Sequence, residues 1–183
     1  MKGIFLISIL IIGLITLVGC DSETGTVAQP SENSQVQEIS NEEKQTEILA
    51  TSTHASVDSS GGKNWDADLE DDGVIIYADL KDANDDTVKF EGVELSVDIE
   101  IWTTKTDDDW NDVKDRLIYS GSGTIDSWKD GNFMFDGGIK VSFDDIKAIE
   151  SDSDYGALFI KIHTPDGKVF EAKDSMGTRI KPE

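Results

Sequence analysis

The chain is poor in cysteine, histidine, proline and positive charge, and the first third of it is poor in aromatics. There is one cysteine, Cys20. Exported domains of this size often carry disulfides, but a lone thiol cannot make one internally, so a core here must hold by packing. There are two histidines, His54 and His163. Zinc needs three or four nitrogen or sulfur ligands in one place, which this supply does not offer. His54 sits among polar residues without ligand neighbours and reads as solvated, and a Ser-His-Asp set built on His163 has no pattern in its favour. All four Trp, all three Tyr and six of the seven Phe lie at or beyond Trp65. A packed core is therefore expected only in 64–183, long enough to bury close to two thirds of its surface. Against 38 Asp and Glu stand 16 Lys and Arg, a net charge of −22. That charge excludes nucleic acid and anionic lipid headgroups as direct partners and favours cations or basic proteins; it also keeps a protein dispersed.

What is present begins at the N-terminus. Met1-Lys2 gives a short positive start, and Ile4 to Val18 is an uncharged run of 15 residues. That matches the apolar part of a signal peptide and falls short of the ~20 residues a spanning helix needs. The run stops at Leu17-Val18-Gly19-Cys20, followed by Asp21. These residues resemble the lipobox of prokaryotic membrane lipoproteins. The resemblance implies a diacylglyceryl group on the Cys20 sulfur, cleavage between Gly19 and Cys20, and a protein held by lipid on the extracytoplasmic side of the cell membrane, since two acyl chains suffice for stable anchoring. Lys2 is the only charge removed with residues 1–19, so the mature chain would carry −22 − 1 = −23. An uncleaved anchor and a plain secretory signal are the alternatives.

Residues 20–63 read as the lipidated Cys and a flexible polar linker, too poor in apolar surface to offset the entropy of ordering. A coil of that length spans roughly 35–40 Å. Ser40-Asn41-Glu42-Glu43 has capping-box spacing, with Ile48-Leu49-Ala50 after it, but an isolated helix this short is marginal.

Beyond residue 63 the apolar period is two. Val93, Leu95, Val97, Ile99 and Ile101 alternate with Glu94, Ser96, Asp98 and Glu100, a strand with one face buried and outward carboxylates that discourage edge pairing. Val74, Ile76, Ala78 and Leu80 make a second buried face, Ile139, Val141 and Phe143 a third, and Leu158, Ile160 and Ile162 a fourth. Pro165-Asp166-Gly167 turns the chain into Lys168 to Lys173. Weaker strands are expected near Trp65–Leu69, Arg116–Ile125 and Phe133–Asp136, and short helices at Asp108–Asp115 and Asp144–Ile149. The expected fold is all-β: an antiparallel β-sandwich resembling immunoglobulin or fibronectin type III domains. The Cys pair of that family is missing, and Tyr155, a candidate tyrosine corner, has the wrong parity. A small barrel or jelly roll is the alternative.

Three patterns could carry chemistry. Asp82, Asn84 and Asp86, and again Asp107, Asp109 and Asn111, offer alternating oxygens of the kind calcium takes from a tight loop. The EF-hand pattern fails, with Thr87 where glycine is required and Val93 where the bidentate Glu belongs, and Asp and Asn also build turns by themselves. Trp102, Trp110 and Trp128 could form a platform for surface glycans or envelope proteins, or simply cap the ends of a sandwich. Ser120-Gly121-Ser122-Gly123 is not a nucleophile elbow and reads as a bend or bulge. Carboxylates are too common here for a glycosidase pair to stand out. The sequence therefore points to a lipid-anchored, non-enzymatic β-sandwich that binds or scaffolds at the cell envelope. Its partners would be the membrane through Cys20 and possible envelope proteins or glycans, with calcium as the only candidate cofactor. A calcium-stabilised module and an accessory domain of an envelope hydrolase are the alternatives.

Overall fold

The computed structural model describes residues 40–65, 69–174 and 176–182. The leader, Cys20 and the first half of the expected linker lie outside the described residues. Helix α1, Asn41–Ala50, opens the described chain, followed by strands β1 His54–Lys63, β2 Gly73–Lys81, β3 Glu91–Thr106, β4 Asp112–Ser127, β5 Ile139–Ser142, β6 Tyr155–His163, β7 Val169–Lys173 and β8 Thr178–Arg179. One sheet has the order β1-β2-β5; the other has the order β4-β3-β6-β7, with β8 paired to β6. Every pairing is antiparallel. The two sheets face each other as an all-β sandwich. The chain crosses between the two sheets at the β2–β3, β4–β5 and β5–β6 connections.

The alternating positions form the interior. Val74, Ile76, Ala78 and Leu80 of β2 meet Leu95, Val97, Ile99 and Ile101 of β3 and Leu158, Ile160 and Ile162 of β6 in one buried cluster. Ile118 and Ile125 of β4, Val141 of β5 and Phe90 before β3 belong to it as well. The turn at Pro165-Asp166-Gly167 closes β6 onto β7 through Gly167 N–H to Thr164 O, 2.9 Å, and Thr164 N–H to Lys168 O, 3.0 Å.

Several expectations are corrected. The sandwich unit spans Glu38–Glu183, so the fold does not begin at residue 64. His54–Lys63, read as linker, is a ten-residue strand that pairs with β2 from His54↔Lys81 onward. It was hidden because only Ala55 and Val57 point inward among Ser, Asp and Gly. The Ser40 capping box forms, with Glu43 N–H donating to Ser40 Oγ and Ser40 N–H to Glu43 Oε2. The helix is not isolated, because Leu49 and Ile48 pack on the core, and tertiary burial is what sustains a helix of this length. Arg116–Ile125 is a strand but part of a longer one, β4. Phe133–Asp136 is not a strand; Phe133–Phe135 is a 3-10 turn capped by Asn132. Trp65 and Leu69 lie outside any strand. Asp108–Asp115 is the β3–β4 hairpin turn and the start of β4, and Asp144–Ile149 holds only the end of a 3-10 turn, Phe143–Asp145. Tyr155 opens β6 on the surface and caps no corner. β3 is a central strand, so its outward carboxylates do not guard an edge.

The alternation of strand directions fixes two ends. At the end where α1 leads into β1 lie the β2–β3, β4–β5 and β6–β7 connections. At the far end lie the β1–β2, β3–β4 and β5–β6 connections.

Candidate functional site

The two acidic loops are one turn built twice. Asp82 Oδ1 accepts from the N–H groups of Asn84, 2.8 Å, and Asp86, 3.1 Å; Asp107 Oδ1 accepts from those of Asp109, 2.9 Å, and Asn111, 2.8 Å. The fourth residue of each is left-handed, Asp85 at φ 68° and Trp110 at φ 65°. Backbone donors hold both carboxyls below the ordinary range, led by Asn84 for Asp82 and by Asn111 for Asp107. The first carboxylate of each triplet thus serves the turn itself, as short Asp side chains do when they bond backbone two and four residues on. Among the described residues no group of three or more His, Cys, Asp or Glu stands together in a way that could hold a metal ion.

The three tryptophans do not converge. Trp110 sits at the tip of the β3–β4 hairpin, 89% exposed. Trp128 lies just past the other end of β4, where its N–H donates to Phe90 O. Between them runs β3, 16 residues long, which is about 50 Å at ~3.3 Å per residue. Trp102 stands on the outer face of β3, between these positions.

That outer face is the most organised surface of the described chain. Register places Asp98 beside Lys161 and Lys161 beside Glu171; the next row runs Glu100, Phe159, Lys173, with Ser120 and Ser122 across from Glu100 and Asp98. Lys114 Nζ lies 3.7 Å from the Phe159 ring centre and 4.7 Å from that of Trp102. The same ammonium meets Glu100 Oε2 at 3.2 Å, and Trp102 Nε1–H donates to that oxygen at 2.9 Å. The Trp102 bond, with Lys114 behind it, lowers the Glu100 carboxyl's proton affinity. Lys161 and Glu171 pair at 2.8 Å and push each other further into the charged state. His163 Nε2 meets Asp98 Oδ2 at 2.7 Å at the rim. Where β4 carries only Ser120 and Gly121, the face dips into a concavity of about 320 Å³ between Glu100, Lys114, Phe159, Lys161 and Glu171. Ser120 and Gly121 thus form the low wall of a trough, just past a register break in β4. A rigid grid of two flat rings and matched charges suits contact with another surface, by cation–π and hydrogen-bond complementarity.

A second feature was missed from sequence. Phe133, Met134 and Phe135 are 64%, 72% and 49% exposed on the capped 3-10 turn of the β4–β5 connection. Met134 N–H donates to Asn132 Oδ1 at 2.9 Å, and Asp136 closes the turn in the left-handed region. Phe133 packs edge-on to Tyr77, and Phe135 edge-on to Trp128 at 4.9 Å between ring centres. Gly131 seats the loop against β2, for a Cβ there would fall 2.0 Å from Ala78 O. The available signal was the pair of stops around the apolar trio: Asn132 as a cap before it, Asp136-Gly137-Gly138 after it. Comparison with family models, with curated proteins and with solved structures finds no match for this chain.

Proposed function

We propose that this protein is a lipid-anchored module of the cell envelope, modified at Cys20, facing the extracytoplasmic side, and carrying a non-enzymatic sandwich that docks a protein partner. The observation that supports it best is the outer face of the β4-β3-β6-β7 sheet, where Lys114 rides on the Trp102 and Phe159 rings beside a trough. Aromatic and cationic side chains held rigid on strands contribute large contact area at low ordering cost, which is the character of an interface centre. The surplus of carboxylates, 38 against 16 basic residues, favours a partner with a basic contact surface. The backbone N–H groups on Asp82 Oδ1 and Asp107 Oδ1 give these carboxylates a role in the turns themselves, so the docking reading does not call on calcium.

The test is capture from envelope fractions on the immobilised full chain, followed by titration of the retained protein. Trp102→Ser should weaken binding at least about tenfold, as expected of a residue at an interface centre. Raising salt should weaken it further. Equal binding by the variant, retention of wall glycan with no protein, or turnover of any substrate sensitive to face mutations would replace this reading.

A further inference from the structure

We propose that the Phe133-Met134-Phe135 turn seats in the interfacial layer of the membrane that holds Cys20, so that the outer face of β2 at Tyr77 is turned toward the lipid and the β3–β4 tip is kept clear of it. The inference rests on the anchoring proposed above. Three large apolar side chains exposed side by side in so acidic a protein mark a contact surface. They are pre-arranged for it. The Asn132 cap fixes the turn, and Tyr77 and Trp128 brace the rings from behind, so little order remains to be lost on binding.

The occupant follows from where the chain goes. The turn folds over the outer face of β2, with Phe133 on Tyr77 midway along the strand, and an unbroken line of contacts joins it to α1. Gln45 Oε1 accepts from Glu91 N–H at 2.9 Å, Glu91 pairs with Lys129 at 2.9 Å, and Lys129 and Lys89 both lie over Trp128, against which Phe135 packs. Residues 21–39 separate Cys20 from the described chain. Nineteen residues reach at most about 65 Å even when fully extended. The tethered turn is therefore confined near the bilayer surface, and binding too weak to register for a free domain becomes populated through the high effective concentration. Aromatic side chains flanked by lysine suit the headgroup boundary, where an apolar body is buried and the ammonium stays wet. The surrounding carboxylates oppose approach to anionic lipid over a Debye length of about 8–10 Å. Docking should accordingly be stronger on zwitterionic than on anionic vesicles, and on anionic vesicles it should rise with salt.

The experiment uses the full, lipidated chain in vesicles of phosphatidylcholine with or without phosphatidylglycerol. With Cys20 acylated, Met134→Cys supplies the only free thiol for an environment-sensitive fluorophore, and Asp108→Cys places the same probe at the far tip. The probe at 134 is expected to shift to the blue and be quenched by brominated lipid, the probe at 108 to do neither, and Phe133→Ser with Phe135→Ser to abolish the difference. Indistinguishable probes on a chain whose intact mass carries the diacylglyceryl group would overturn the docking alone. An intact mass without that group would overturn the anchoring, and the docking with it. Shielding of position 134 only on adding envelope protein, without lipid quenching, would assign the turn to a protein partner and overturn the membrane.

Discussion

At the scale of single residues, this chain uses carboxylates as fasteners. Asp174 is buried and answered on every side, by Ser59 Oγ at 2.7 Å, Thr178 Oγ1 at 3.3 Å and the Met176 N–H at 2.8 Å, joining β1 to β8 across the open edge. Asp166 does the same for the β6–β7 turn. Thr164 Oγ1–H and Lys168 hold its carboxyl down to about 2, from an ordinary 3.8. A carboxyl whose proton affinity is lower folded than unfolded stabilises the fold above its unfolded value and ceases to do so as it protonates. The contribution of Asp166 is thus complete above about pH 4 and is lost as pH falls from there to about 2. In Thr164→Val the Asp166 carboxyl should titrate closer to the ordinary 3.8, read by NMR of its side-chain carbon; the variant should melt lower above about pH 4 and lose less stability than the parent as pH falls from there to about 2. An unchanged titration would mean that Lys168 alone holds it.

At the scale of elements, strands with several large apolar residues on one face were the most legible, β5, β7 and part of β4 were also readable, and β1 was missed. β2, β3 and β6 each place three or four Val, Ile or Leu inward, so period two announces them. β1 buries only Ala55 and Val57, and its Ser59-Ser60-Gly61-Gly62 stretch reads as linker until β2 is seen beside it. β4 is disguised by register breaks, at Ile101/Trp102 and Trp102/Thr104 of its partner, which let Ile118 and Tyr119 slip out of alternation. The aromatic turn looked like a strand because three adjacent apolar residues carry no period at all. Composition made the acidic loops look like metal sites. The left-handed fourth position that distinguishes a turn is occupied by Asp85 in one and Trp110 in the other, so no residue type flags it. The twin turns predict that Asp107→Ala and Asp82→Ala each lower the melting temperature, that Asp→Asn at either site recovers most of the loss, and that the wild-type melt is the same in calcium and in chelator. A calcium-dependent rise in the melting temperature would return a metal to these loops.

At the scale of the whole molecule, the boundary of the fold matters most. A chain beginning at residue 64 would lack α1 and β1, leaving the outer edge of β2 without its partner over eight paired positions and uncovering the core that Leu49, Ala55 and Val57 seal. Such a fragment should fail to melt cooperatively, whereas one beginning at residue 40 should give a single transition by near-UV circular dichroism. A cooperative 64–183 fragment would show that the second sheet and β2 suffice. The sandwich itself was readable from the count and spacing of strands. Its candidate binding face was not, because Trp102, Lys114 and Phe159 sit on three different strands and meet only when those strands pair.

The direction of β1 has a mechanical consequence. Its first residue follows α1 at one end of the sandwich, and its ladder to β2 runs along both strands. Antiparallel hydrogen bonds lie perpendicular to their strands. A pull on the N-terminus, resisted at the opposite tip, therefore slides β1 along β2 and strains all its rungs simultaneously, where a pull from the side would peel them off singly. Loaded in shear, the strand that looked most like a loose leash becomes the member that resists tension.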